Sequence, residues 1–457
     1  MDRIEELRTA LNVKNSNGKK SLKHSVKHAN FLPFQTRNPE RAKFGNGFDP
    51  ILGEIFRKLE GTQLNDNLEV ESLIEEITSK VEINTEDKPA LQGILASYLG
   101  QSSSMRMFHP LIFNYISLSS NKEAVGEKDI AQYIVDSLLG DSEDLRGIMA
   151  LTDKEHVLTR LICSNLPELP KGEAGNKYAP AFTYVESVFK EDLAFLVGNR
   201  EFFISHINLF IAYYYFYSVT QFTLKLNQFE NMEPTTPTPL YYNVDWENSN
   251  RSRLAVTKGF KTILESARRL LIHINTLEQL NILMGTKNLH YAELMDKFKE
   301  LDEVEQKEIV ASFNEWIVEY SDVAIGSTEG IDEAANLEQC MHILHHQIVK
   351  AYEKGSMQGP KSRYALALTE IGRLYFLKTR GSLGHTLNVT QDFLLLLTAI
   401  SVKYEKISLK QLFIEYEKRG VYFDRYSRES IVELLNKLNL IEKKSDSGDA
   451  QYVKPIL

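Results

Sequence analysis

Residues 202–224 carry no Asp, Glu, Lys or Arg, and this run constrains the fold more than any other feature of the chain. As a helix it is long enough to cross a bilayer, so it must lie either in lipid or inside protein. His206, Asn208 and Gln221 would be costly near a membrane centre, where polar side chains lack partners. Tyr213, Tyr214, Tyr215 and Tyr217 sit in the middle of the run, not at its ends where a membrane's aromatic belts lie. The segment therefore reads as a helix buried within protein, in a soluble and mainly α chain.

At 457 residues the chain is too long for one ordinary core, so a multi-domain protein is expected. Only Cys163 and Cys340 are present, far apart and outside any C-x-x-C pair, which removes disulfide frameworks and cysteine zinc sites. A reducing compartment fits this usage. Acids stand in the first residues where a secretory signal needs an apolar run, so a cytoplasmic location is expected.

Ile4, Leu7 and Leu11 mark one face of an opening helix. A Lys/Asn/Ser/His-rich passage follows, then Phe31, Phe34, Phe44 and Phe48, as in an extended arm whose aromatics dock on a neighbour or on the chain's own body. Helical periodicity then runs through 51–59, 70–81, 90–99, 129–139, 154–164 and 182–197, with few period-two runs to suggest a sizeable sheet. Pro234, Pro237 and Pro239 forbid a continuous helix and mark a connection at 231–250. The aromatic phrase at 241–247 is unusual for a linker and reads as packed. Helical patterns return from 252 to about 380, broken near Gly285, 324–330 and 355–359. The expected organisation is a basic arm (1–49), a helical domain (50–230), a Pro-rich linker (231–250), a second helical domain (251–385) and a C-terminal module (386–457).

The net charge of −9 argues against a uniformly basic coat for nucleic acid, but the charge is segregated. Stretches 14–43, 251–269 and 350–380 carry +7, +5 and +5, which leaves −26 for the rest. Local positive clusters on an acidic body suit a protein that grips phosphates. The candidate contacts are Lys19, Lys20, Lys23 and Lys27 in the arm, with Arg251, Arg253, Arg268 and Arg269 in the second stretch. Solvated helix faces are the plainer alternative for any one stretch.

The C-terminal module has the clearest pattern. Asn388 or Thr390 caps a helix to about Val402, a strand covers 406–409, and a helix at 410–419 ends at Gly420. Ser427 caps a third helix whose Ile431, Leu434, Leu435 and Leu438 form one face, and strands at 441–444 and 451–456 flank a turn at 446–449. This is the order of a winged helix-turn-helix, in which the third helix enters the major groove and the hairpin touches the backbone. Arg425, Arg428 and Lys437 would face DNA from the helix, and Lys443 and Lys444 from the wing. From residue 386 onward eleven Lys/Arg meet ten Asp/Glu, and such a near-neutral module equally suits binding to protein.

The ending from Leu440 to Lys454, with Glu417, Lys418, Arg419, Gly420 and Val421 before it, resembles the terminus of the DNA phosphorothioation-dependent restriction protein DptG (DndG) family. The resemblance covers the last sixth of the chain. It implies a part in bacterial defence, restricting DNA that lacks backbone sulfur, beside partners of the DptF and DptH type in which ATP use and translocation are expected. It carries no catalytic motif onto residues of this sequence.

Chemistry of the chain's own has little support in the sequence. No G-x-x-x-x-G-K-[ST] loop occurs, and Gly45-Asn46-Gly47 lacks the lysine. Asp302, Glu305 and Lys307 superficially match a metal-dependent nuclease pattern, but in a charge-alternating helical segment. His342 and His346 lie one helical turn apart near Cys340 and His345, without a glutamate general base between them, on the flanks of an apolar face. His24 and His28 stand among lysines, which favours phosphate contact over metal capture. The tyrosine run could stack bases but reads as core. The expectation is a non-catalytic DNA-binding and scaffolding subunit without metal or cofactor; the alternatives are a metal-dependent DNA-nicking enzyme and a winged-helix transcriptional regulator.

Overall fold

The computed structural model describes residues 3–16, 19–34, 39–101, 104–140, 143–152, 155–173, 175–354, 358–443 and 451–457. The chain is mainly helical. At its centre stands the helix Arg200–Lys225, roughly 39 Å long at 1.5 Å per residue. Asn199 starts it by accepting the Phe202 amide at 3.1 Å, and every residue from Phe210 to Lys225 is buried. No helix among the described residues is long and apolar enough to cross a membrane.

An unpaired buried hydroxyl costs about 1–3 kcal/mol, and in the row Tyr213, Tyr214 and Tyr217 find partners, whereas the buried Tyr215 hydroxyl has none among the described residues. Tyr214 donates to Asp192 Oδ2 at 2.5 Å on the neighbouring helix Thr183–Val197. Tyr217 donates to the Lys418 carbonyl at 3.1 Å, and Tyr213 to the Arg419 carbonyl. Tyr133 and Ser218 share a hydrogen bond of 2.7 Å. The central helix is thus bonded both to the preceding helices and to the C-terminal module. One hydrophobic core runs from Ile4 to Val453 and draws on the arm, the central helix, the segment at 240–244, the second group of helices and the C-terminal module; a separate, smaller cluster unites Val70, Leu73, Ile77, Leu95, Leu99 and Ile162.

A second group of helices comprises Leu270–Met284, Glu303–Ile325 and Leu337–Lys354, packed on one another. Leu270–Met284 is buried along its whole length, and its Gln279 accepts the Trp316 indole N–H at 2.8 Å. The arm docks on this group. Buried Glu278 accepts the Lys27 and His28 amides at 2.9 and 2.6 Å, and His24 bonds to the Tyr320 hydroxyl at 2.9 Å. Phe31 stacks on Phe222, Phe34 meets Tyr364, and Phe48 meets Tyr215. The arm's aromatics therefore dock on the chain's own body.

The segment expected as a linker enters the core. Leu240, Tyr242 and Val244 are buried, and Asn243–Val244 pairs in parallel with His385–Val389, which in turn pairs antiparallel with Leu377–Thr379. The chain returns to the strand from far along the sequence, so the pairing has no local signature.

After this sheet come the helix Gln391–Val402, the strand Ile407–Ser408, the helices Leu409–Lys418 and Arg425–Lys437, and the strands Ile441–Lys443 and Gln451–Val453. The last strand lies between the other two in an antiparallel sheet. Thr390 caps the first helix by accepting the Phe393 amide at 3.2 Å. The third helix is capped by Asp424, not Ser427: its Oδ1 accepts the Ser427 amide at 3.1 Å, and the Ser427 hydroxyl is drawn to Glu247 at 2.7 Å. The expected turn at 446–449 lies outside the described residues.

Candidate nucleic-acid interface

The fold gathers the three basic stretches around one helix. Arg268 and Arg269 stand at the N-terminus of Leu270–Met284, the arm is fixed on Glu278 of the same helix, and Gln358–Tyr364 packs against it. The Phe34–Tyr364 contact, with ring centroids 5.7 Å apart, joins the arm to the third stretch. Arg268 and Lys361 line a shared groove of about 450 Å³ with Leu264, Ala365 and Thr369. Lys361 was not singled out in the sequence, where only the charge of its stretch was visible.

The individual candidates divide sharply. Lys23, Lys27, Arg251, Arg268 and Arg269 are exposed and make no ion pair among the described residues. Lys20 instead pairs with Asp322 on the helix Glu303–Ile325, which commits it to holding the arm. The Lys19 backbone pairs with Ser16 in the arm's hairpin, while its side chain lies outside the described residues.

Arg253 is a clear correction: its side chain is only 6% exposed. The guanidinium spans Asp424 at 2.6 and 2.8 Å, reaches Glu247 and Ser427 at 2.9 and 2.8 Å, and donates to the Asn248 carbonyl at 3.0 Å. It cannot reach a phosphate, because its donors are used in tying 247–253 to the start of the third C-terminal helix. Burial raises the Asp424 carboxyl, but the bonds from Arg253 outweigh it and hold the group below the usual carboxylate range. In the third stretch, Lys378 pairs with Asp245 at 2.6 Å and Arg380 donates to the Glu247 and Val244 carbonyls at 2.7 and 3.0 Å, so both are structural.

On the third helix, exposed Arg425 pairs with Glu429 at 2.8 Å. Arg428 pairs with Glu417 at 2.6 Å, donates to the Phe423 carbonyl and lies over the Phe413 ring. Lys437 and Lys443 are exposed, and Lys444 lies outside the described residues. Beside this helix opens a groove of about 1040 Å³, with an apolar floor including Leu254, Phe413 and Val432 and a rim of Arg425, Glu429 and Glu433. Its charge is mixed, as the sequence indicated.

The remaining motifs resolve into structure. The Gly45 amide donates to the Glu123 carboxylate, so an acid occupies the place a phosphate would need. Asp302 and Glu305 form a reciprocal cap on Glu303–Ile325: Asp302 Oδ1 accepts the Val304 and Glu305 amides, both at 2.9 Å, and Glu305 accepts the Asp302 amide at 3.1 Å. These acids serve the helix end and form no metal cluster with another residue among those described. His24 is packed against Tyr320 and Tyr352, and burial pushes its pKa down to about 4, which overturns its reading as a phosphate contact. His345 is buried and stacks on His273 at 4.4 Å, while His342 and His346 remain exposed. In comparison with known proteins, no family model and no curated protein matches the chain.

Proposed function

We propose that the protein is a non-catalytic DNA-binding and scaffolding subunit of a bacterial restriction complex that acts on DNA lacking phosphorothioate. In this reading it works in the cytoplasm beside ATPase partners of the DptF and DptH type. The observation that carries the DNA-binding part is the convergence of three basic stretches on the helix Leu270–Met284, where Lys23 and Lys27 of the arm and Arg268 and Arg269 of the second stretch are exposed and make no ion pair among the described residues. Positive charge gathered on an acidic body favours phosphate contact and leaves base sequence unread.

The C-terminal module supports a winged helix-turn-helix by its order of elements and by the central place of its last strand. Its two arginines on the third helix are paired with acids, and that helix's first turn is bonded to Arg253. These commitments favour partner docking at this module over base reading, and they weaken the transcriptional-regulator alternative. The restriction-complex part rests on the resemblance of the C-terminal sequence.

The test is duplex binding by the purified protein, followed by fluorescence anisotropy between 50 and 200 mM salt, on the order of the range over which 6–10 phosphate contacts lose about 10³–10⁵ in affinity. A steep fall with salt, together with no ATP hydrolysis, is expected. Salt-insensitive binding would count against the reading. Co-expression with neighbouring genes tests the scaffolding part, and failure to recover any partner would remove it.

A further inference from the structure

We propose that Glu230, Glu338 and His342 form a site for one divalent transition-metal ion, a function separate from DNA binding and independent of it. One donor atom from each residue lies within 4.8 Å of the other two. Such a set can contract around an ion that holds oxygen and nitrogen ligands at about 2.0–2.2 Å. Glu338 and His342 are four residues apart on the helix Leu337–Lys354 and so share one exposed face.

Glu230 comes from a different element. Beyond the central helix the chain continues as Leu226–Asn231, where Phe229 takes φ 51° and ψ −132°. The Phe229 ring is held by His273, Tyr291, His342 and His345 at 4.5–5.0 Å between centroids, and the next residue is thereby turned toward the helix Leu337–Lys354.

The second observation is the state of the Glu230 carboxylate. Its side chain is nine-tenths buried; Oε1 accepts the Asn231 side-chain amide at 2.7 Å, while Oε2 is shut off from solvent and receives no hydrogen bond among the described residues. His342 Nε2 lies 3.1 Å from Oε2 but is directed at Oε1, at 3.3 Å. Glu338 brings a second negative charge to the same point. A protonated His342 could answer one carboxylate, whereas a divalent ion answers both and uses the imidazole lone pair. Two carboxylates with one imidazole suit Zn²⁺, Mn²⁺ or Co²⁺ better than Mg²⁺ or Ca²⁺. The ion would staple the end of the central helical run to Leu337–Lys354 and leave coordination positions for water.

The test uses the full chain, stripped with chelator and titrated with Co²⁺ while visible absorption is recorded, then with Zn²⁺ in competition. One equivalent is expected. Because loss of even an outer partner costs about 10–100-fold in affinity, Glu338→Gln and His342→Ala should each weaken binding by about 100-fold or more. Glu338 is exposed, so its variant tests the site without threatening the fold, and circular dichroism checks this. His346→Ala, one turn further along, should leave binding unchanged. Absence of the Co²⁺ band, or binding indifferent to Glu338→Gln and His342→Ala, would overturn the proposal and leave a Glu230–His342 ion pair only.

Discussion

Arg419 and Asp192, 227 residues apart in sequence, meet in a buried bidentate ion pair with both N···O distances at 2.6 Å. The pair joins the end of the helix Leu409–Lys418 to Thr183–Val197, and Tyr214 completes it from the central helix. Arg419 also donates to the Ile400 carbonyl at 3.0 Å and to Glu415. The carboxylates around it hold its guanidinium in the charged form despite burial. The C-terminal module is therefore locked to the body.

Asp192→Ala should destabilise the protein by about 3–5 kcal/mol, because it removes the bidentate partner of a buried guanidinium and leaves Glu415 as its remaining carboxylate. Replacing both partners by apolar residues, Asp192→Leu with Arg419→Met, should cost less than the sum of the single changes. Equilibrium unfolding in urea gives both values. Additivity of the two single variants would show that the pair is not coupled.

Gly420→Ala should cost about 2–4 kcal/mol, from a left-handed backbone and from overpacking together. Gly420 has φ 78°, and a Cβ placed there would lie 2.2 Å from the Tyr217 ring. A thermal shift measurement checks this. Gly61→Ala is a useful comparison, since Gly61 also has positive φ but open space around it and should lose only the backbone part.

Acid should release the arm. His24 is neutral in its pocket, with a pKa pushed by burial from the ordinary 6.5 to about 4, so the folded form binds fewer protons than the unfolded one. Stability from this group is complete above pH 6.5 and is lost as pH falls toward 4. Hydrogen exchange of residues 19–34 should accelerate over that window. His24→Phe should flatten the dependence, and equal acid sensitivity in that variant would exclude His24 as the cause.

Arg253→Ala should lower thermal stability while leaving the salt dependence of DNA binding intact. Arg268→Ala with Arg269→Ala should do the reverse. The contrast follows from burial: Arg253 is enclosed by Asp424, Glu247 and Ser427, whereas Arg268 and Arg269 are exposed. A weaker salt slope in Arg253→Ala alone would contradict the assignment.

Local chemistry in the sequence was legible. The charge-free run became the central helix, buried without a break from Phe210 onward, while its first turns keep a partly exposed face at Ser205. The C-terminal helices and strands fell close to their expected bounds, since caps such as Thr390 and stops such as Gly420 act within a few residues. Long-range pairing was not legible. Asn243–Val244 becomes a strand only by meeting His385–Val389, and Asp424 displaces Ser427 as cap because Glu247 and Arg253 engage the serine hydroxyl. Charge runs likewise gave the number of cations but not their fates. Lys20 and Arg253 were spent on distant acids, and only the fold separates them from Lys23, Lys27, Arg268 and Arg269. Glu230 was missed because nothing near it in sequence marks it; its partners lie on Leu337–Lys354.

The most direct measurement is the slope of log affinity against log salt for a DNA duplex, compared between the native chain and a variant with Lys23, Lys27, Arg268 and Arg269 changed to alanine. A steep negative slope is expected for the native chain, falling by about 0.9 for each phosphate contact removed, with thermal stability unchanged. An identical slope in the variant, or no duplex binding at low ionic strength, would contradict the claim that these basic stretches form a DNA-gripping surface.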